Sequence, residues 1–415
     1  MKKIISMLIM IIICLSILPS CRDEKTDLGK DVTRLTKMPA SPSDKVDADS
    51  MDYGSIESFS EKLSLKLLEQ NENTNIVFSP LSAYLALAMV KEGAEGETLE
   101  EMNAVMGNES AEAIYTLISY LTTFDDTQLN ISNSVWIDLV ADINPKREYL
   151  DTLADFYLAE CYKTVLSGAE SDVNKWISES TNGMIENMLD ETALDESVMA
   201  LVNAIYMNAH WENEFDANNT HKRDFQNSDG NVTKTDFMYN GIRSELIIET
   251  DAYIGVVLRY KDTDLNFVAV MPTDETASGT DILEAIYSDG GWRSVARNAE
   301  YENARLYLPT FEYNTSLSLT EILQSIGIKA AFSLEANFDG IDDDLVLDSV
   351  LQNAAIKLYE DGTEASAATV VTVKATGAMM PEDVRTIEFN RPFVFSVVDS
   401  ASGVVIFAGE YNTAE

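Results

Sequence analysis

Histidine is almost missing: His210 and His221 are the only two in 415 residues. That removes most routes to a metalloenzyme or a Ser–His hydrolase. There is no HExxH, no CxxC pair and no GxSxG elbow. His210 lies beside Trp211 in an apolar run, where a structural role is expected, and His221 lies in the polar stretch NNTHKRDF. The acidic stretch DGIDDD lacks the alternating ligands of an EF-hand loop, and GAEG lacks the full phosphate-loop pattern. No metal and no cofactor is therefore expected. Basic residues are also scarce, 29 Lys and Arg against 70 Asp and Glu, for a net charge of −41. Such a surface repels nucleic acid and anionic lipid. The many carboxylates leave a carboxylate-pair hydrolase open as one reading.

Cysteine is scarce too: Cys14, Cys21 and Cys161. The first two belong to an N-terminal address. Lys2 and Lys3 precede an apolar run over residues 4–18, too short to span a membrane and suited to a signal peptide. The run ends in LPSC, which resembles a bacterial lipoprotein signal in which the cysteine becomes the acylated first residue. The acidic pair in the following RDEK resembles a surface-export signature of such lipoproteins. The expected divisions are a signal peptide over 1–20, a flexible tether over 21–52 that includes MPASPSDKVDADS, and one folded domain over 53–415. The resemblance implies a protein exported and lipid-anchored at Cys21 to a bacterial outer membrane, facing outward. With Cys14 removed and Cys21 acylated, Cys161 has no partner for a disulfide.

The folded part mixes helical and strand patterns without a regular βαβ repeat, which predicts an α+β domain. Ile56, Phe59, Leu63 and Leu67 share one helical face. Ser79-Pro80 opens another helix. LNISNSVWID alternates as a strand, and MALVNAIYMNAHW reads as a strand buried on both faces. Asp229-Gly230 marks a hairpin. SDVNKWISESTNGMIENML is a helix broken near Asn182-Gly183. ARLYLPTFEY reads as a strand leading into a helix, and RPFVFSVVDSASGVVIFAGEY as a terminal hairpin.

Proline is absent between Gly362 and Met380, inside the unusual stretch EDGTEASAATVVTVKATGAMMP. A residue entering the middle of a sheet needs its N–H, so that absence permits insertion as a strand. Thr363, Ala365, Ala367 and Thr369 alternate along one face, and all are small enough to enter a packed core. Glu364 and Ser366 fall on the other face. Gly362 can take a positive φ and serve as a hinge. Val370 to Val373 add β-propensity.

Six segments, in order, resemble the serpin family of serine protease inhibitors over almost the whole folded part. They are FSPLSAYLALAMVKEGAEGETLEEM, NKWISESTNGMI, LVNAIYMNAHWENEF, LPTFEYNTSLSLTEILQSIGI, EDGTEASAAT and FNRPFVFSVVDSASGVVIFAGE. The resemblance implies three β-sheets, about nine helices and an exposed reactive-centre loop, here about residues 361–381. It also implies that the chain is no enzyme. A protease serine attacks a loop carbonyl, the peptide bond breaks, and the protease stays bound as an acyl ester. The loop then inserts into the main sheet and drags the protease with it.

The resemblance carries residues with it. Ser79, Ser82 and Asn203 match a polar cluster beneath the opening of the main sheet, with Gln352 standing where the family commonly has histidine. Trp211 and Glu360 match the top of that sheet. Spacing from Glu360 puts the reactive bond at Thr376–Gly377, with Lys374–Ala375 as the alternative for trypsin-like enzymes. The expected partners are trypsin-like, elastase-like or broad-specificity serine proteases, with cysteine proteases as a further class, and a membrane through the lipid; the chain is expected to be a monomer. The competing expectation is a non-inhibitory surface lipoprotein of the same fold that binds a ligand.

Overall fold

The Ser79-Pro80 pair does start a helix. The Ser82 N–H donates to the Ser79 hydroxyl at 3.1 Å, and Pro80 takes the first helical position, where its missing N–H goes unused. The fold comes from a computed structural model that describes residues 28–29, 31–37, 53–124, 127–141, 143–195, 197–343, 345–363 and 384–414. In chain order these form β1 (Thr33–Arg34), α1 (Gly54–Gln70), β2 (Ile76–Phe78), α2 (Pro80–Lys91), α3 (Gly96–Met106), α4 (Ala111–Leu121), β3 (Gln128–Asp138), α5 (Arg147–Phe156), β4 (Ala159–Thr164), α6 (Glu170–Ser180) and β5 (Met199–His210). There follow β6 (His221–Gln226), β7 (Val232–Glu249), β8 (Tyr253–Arg259), β9 (Leu265–Pro272), α7 (Gly279–Ser288), α8 (Gly291–Asn298), β10 (Glu300–Pro309), β11 (Phe311–Ser318) and α9 (Thr320–Ile326). The chain ends with β12 (Leu351–Tyr359), β13 (Gly362–Thr363), β14 (Arg385–Glu388), β15 (Phe393–Asp399) and β16 (Val405–Tyr411).

The class is α+β, as the mixed pattern predicts. One sheet runs β1-β4-β3-β5-β13-β12-β11. The other strands form a continuous network, β14-β10-β7-β8-β9-β15-β16-β2, with β6 on β7. The long strand β7 bridges its two halves, pairing with β6 and β10 along most of its length and with β8 at its end. Those halves supply the second and third sheets. The hairpin at Asp229-Gly230 forms as predicted, with Gln226 opposite Val232 and Gly230 at φ 83°. Helix α6 stops at Ser180, and Asn182 and Gly183 then turn through positive φ.

ARLYLPTFEY, which reads as one strand, is two. β10 ends at Pro309 in the second sheet and β11 begins at Phe311 in the first. Pro309 cannot extend the ladder with an N–H, and the Thr310 N–H donates instead to Asp236 O at 2.9 Å.

The expected flexible tether also needs correction. Thr33 and Arg34 pair antiparallel with Lys163 and Tyr162, adding an edge strand to the first sheet. Arg34 donates to Glu160 at 2.9 Å and lies over the Tyr162 ring. The Gly29 N–H donates to Asp172 at 2.9 Å, and Leu28 and Val32 pack against the core under α6. An open strand edge and an apolar ledge therefore hold a segment whose own sequence shows no periodicity. The rest of the tether, the signal peptide and Cys21 lie outside the described residues. Cys161 is a buried free thiol, pushed up to about 12 by burial.

Two cores sandwich the first sheet. On one face, α6 lays Val173, Trp176 and Ile177 over Trp136, Tyr162, Val202 and Ala204. The other face joins the main core, which includes Leu85 and Met89 of α2 and the two-sided β15 and β16.

Candidate functional site

Strands β5 and β12 are neighbours that do not pair with each other. Among the described residues only β13 bridges them, with Gly362 opposite His210 and Tyr359, and Thr363 opposite Ala209 and Leu358. Below that point, among the described residues, neither facing edge has a strand partner. A cavity of about 380 Å³ lies at the lower end of this slot, lined among others by Met199, Asn203, Leu351 and Gln352. A two-residue strand thus stands at the mouth of a strand-wide opening in the middle of the sheet.

The mouth is held by residues that the sequence singles out and by some that it does not. The Trp211 N–H donates to Asp361 O at 3.0 Å, and its indole Nε1 donates to Tyr359 O at 2.9 Å. The Phe215 N–H donates to Glu360 O at 2.7 Å, and the Thr220 hydroxyl donates to the Glu360 carboxylate at 2.5 Å. Trp211 and Glu360 therefore grip the same turn. Thr363 is 4% exposed, and its hydroxyl lies 2.5 Å from the Tyr260 hydroxyl. Tyr260 stacks on Trp211 with ring centroids 4.7 Å apart. Thr363 points inward, as its place in the alternating set predicts. Tyr260 was not legible as a partner, because it closes a strand far off in sequence and carries no motif.

Gly362 has a packing role that the sequence does not show. Its φ is 159°, close to fully extended, and a Cβ there would lie 2.0 Å from Ala209 O. The glycine lets the backbone of β13 approach β5. Ala365, Ala367, Thr369, Lys374, Ala375, Thr376 and Gly377 lie outside the described residues.

The polar cluster lower down divides across the slot. On the β12 side, the Ser79 N–H donates to Gln352 Oε1 at 3.1 Å, and Gln352 Nε2 donates back to Ser79 O at 2.8 Å. The Ser79 hydroxyl donates to Ile406 O at 2.6 Å, and Ser82 completes the helix cap. Ser79, Ser82 and Gln352 therefore come together. Asn203 does not join them. On β5, its Nδ2 donates to Asn133 Oδ1 at 2.6 Å, and Asn133 donates to Tyr157 O at 2.7 Å. The Asn203 Oδ1 is buried with no hydrogen-bond partner among the described residues. Asn133 was missed by sequence reasoning, since it is one polar residue among several in an alternating strand. His210 is half exposed and contributes its backbone to the mouth.

The comparisons agree with this geometry. A family model described as serpin, serine protease inhibitor, matches residues 55–414. An uncharacterized serpin-like protein of Thermococcus kodakarensis is 29% identical over 350 residues, 81% of this chain and 80% of that protein. Iripin-8 of Ixodes ricinus is 29% identical over 368 residues, 84% of this chain and 90% of its own. The crystal structure of the thermophilic serpin tengpin in its native state superposes with a TM-score of 0.80 at 30% identity, covering 92% of this chain and 100% of tengpin. Tengpin in its latent state gives 0.74 at 29% identity, covering 90% and 100%. A slotted central sheet, a short strand at its mouth and a family match across the folded part converge: this chain belongs to the serpin family.

Proposed function

We propose that the protein is a suicide-substrate inhibitor of serine proteases. The supporting observation is the slot: β13 already occupies its mouth with Thr363 inward, and the edges of β5 and β12 below it have no partner among the described residues. Loop cleavage frees one end of the segment after Thr363, which then continues β13 downward as a full strand. Each new ladder bond contributes roughly 0.5–1.5 kcal/mol net. The reactive bond is Thr376–Gly377, or Lys374–Ala375 with a trypsin-like enzyme. The targets are trypsin-like, elastase-like or broad-specificity enzymes. The chain works at the outside of a bacterial cell, held through an acylated Cys21.

Incubation with trypsin and with elastase tests the reading. An adduct stable in SDS, with mass spectrometry placing its ester at Thr376 or Lys374, is expected with at least one of them. Loop cleavage alone should raise the melting temperature sharply. Clean cleavage with no adduct and no rise in melting temperature would overturn inhibition and leave a binding lipoprotein of the same fold.

A further inference from the structure

Six of the nine large exposed apolar residues among those described, Leu139, Val140, Val165, Val198, Val346 and Leu351, gather at one end of the first sheet. Hydrogen bonds and a shared cavity place them together. β3, β4 and β5 meet there: the Asp138 N–H donates to Val198 O at 2.9 Å, and the Leu139 N–H donates to Thr164 O at 2.6 Å. Both Asp138 carboxylate oxygens tie the turn, accepting from the Val140, Ala141 and Leu166 N–H groups. Val346 and Leu351 join from the far side of the slot, where they line the same cavity as Val198. The pole is thus a rigid set of strand ends carrying exposed aliphatic side chains.

The docked N-terminal segment leads to the same pole. Thr33 faces Lys163 and Arg34 faces Tyr162, so the segment runs antiparallel to β4. Followed back toward residue 28, it approaches the Thr164 end of β4. Gly29 is held there by Asp172, in the first turn of the helix that follows β4. Leu28 lies only seven positions after Cys21, a span of at most about 25 Å at 3.3–3.6 Å per step. The root of the reactive loop, beside His210, stands at the other end of the 12-residue β5, about 36 Å away at roughly 3.3 Å per step.

We propose that this apolar pole is the face that rests on the lipid surface, so that the inhibitor stands with its reactive loop pointing away from the membrane. The proposal rests on acylation of Cys21. The docked segment turns a long leash into a short one, and the short leash brings the exposed aliphatic residues to the headgroups. Asp348 lines the cavity with Val198 and Val346, and Asp190, Glu191 and Asp195 belong to the segment whose Leu189, Ala193 and Leu194 line it, so a neutral, zwitterionic surface fits the pole and an anionic one is repelled.

The test uses acylated full-length protein on phosphatidylcholine vesicles. One reporter fluorophore is attached through Val140→Cys and another, separately, through Lys261→Cys near the opposite pole. Cys161 is buried and stays unlabelled. A quencher carried on the lipid should extinguish the Val140 reporter and spare the Lys261 reporter, and adding Leu139→Asp should restore the first signal without loss of flotation. Flotation with an unquenched Val140 reporter overturns the orientation while leaving the anchor intact. Failure to float overturns the anchor and the orientation together. Shielding of the Val140 reporter without lipid, with a doubled mass, assigns the pole to a second copy of the chain and overturns the lipid contact.

Discussion

Replacing Thr363 by arginine should separate folding from inhibition. Thr363 is 4% exposed, and its hydroxyl partners the buried Tyr260. Arginine in that position removes the Tyr260 partner, at about 1–3 kcal/mol for an unsatisfied buried group. It also buries a guanidinium without a carboxylate, at several kcal/mol more even after relaxation. Against this, a two-residue strand makes at most about four ladder bonds, roughly 2–6 kcal/mol together. The balance favours expelling β13 from the slot over unfolding the protein. The variant should keep a melting temperature within a few degrees of the parent and be cut by protease. It should give cleaved product where the parent gives an SDS-stable adduct. Thr363→Val is the control: it keeps the shape, loses the hydroxyl, and should still trap. An arginine variant that traps at the parent's stoichiometry would refute the inward insertion of this face.

Gly362→Ala should weaken the seating of β13, because its Cβ would meet Ala209 O at 2.0 Å; faster amide exchange at the substituted position and at Thr363 is expected, and unchanged exchange would show that β5 can yield. Gln352→Ala removes both bonds to the Ser79 backbone; the Ser79 C=O keeps the Ala83 N–H at 3.1 Å, but the Ser79 N–H is left buried without its acceptor, for about 1–3 kcal/mol of native stability, readable as a shifted urea midpoint; a shift near zero would mean that this N–H is satisfied in another way. Glu410 is pushed up to about 7 from its ordinary 4.5, chiefly by burial, with the Glu72 charge adding to it. Its folded form therefore binds more protons than its unfolded form between those values, so its contribution is full below about pH 4.5 and is lost as pH rises through 7. At about 1.4 kcal/mol per pH unit that is at most roughly 3 kcal/mol. Glu410→Gln should remove this slope from urea midpoints measured between pH 5 and 8, and an unchanged slope would place the titration on another group.

Much of this fold can be read locally. The Ser-Pro helix start, the Asp-Gly hairpin, the Asn-Gly break after α6 and the inward Thr363 each follow from residues within a few positions of one another. What could not be read depends on distant partners. Tyr260 matters because Trp211 and Thr363 reach it across the sheet. Asn133 matters because its register opposes Asn203. The segment 28–37 docks because β4 offers an edge and α6 offers an apolar ledge, and neither is visible in the segment's own composition. ARLYLPTFEY was legible as extended chain, but not Pro309 as the place where the chain changes sheets.

The division of the polar cluster bears on how the sheet could open. Gln352 spends an acceptor and a donor on Ser79, at the cap of α2, and so ties β12 to the core beneath it. Asn203 spends its amide on Asn133, within β5 and β3, and Asn133 reaches on to Tyr157. Both clasps point away from the slot. No described side-chain bond joins Asn203 to Gln352, so a strand arriving between them breaks neither clasp. It meets instead a buried Asn203 carbonyl oxygen that has no partner among the described residues, and a donor brought there would relieve a cost of about 1–3 kcal/mol. Because glutamine does not titrate, this arrangement holds unchanged across neutral pH, where a histidine at the same place would change its charge and its donor count. The clasps therefore hold each side of the sheet to the body of the protein while leaving the space between the sides free to accept a strand.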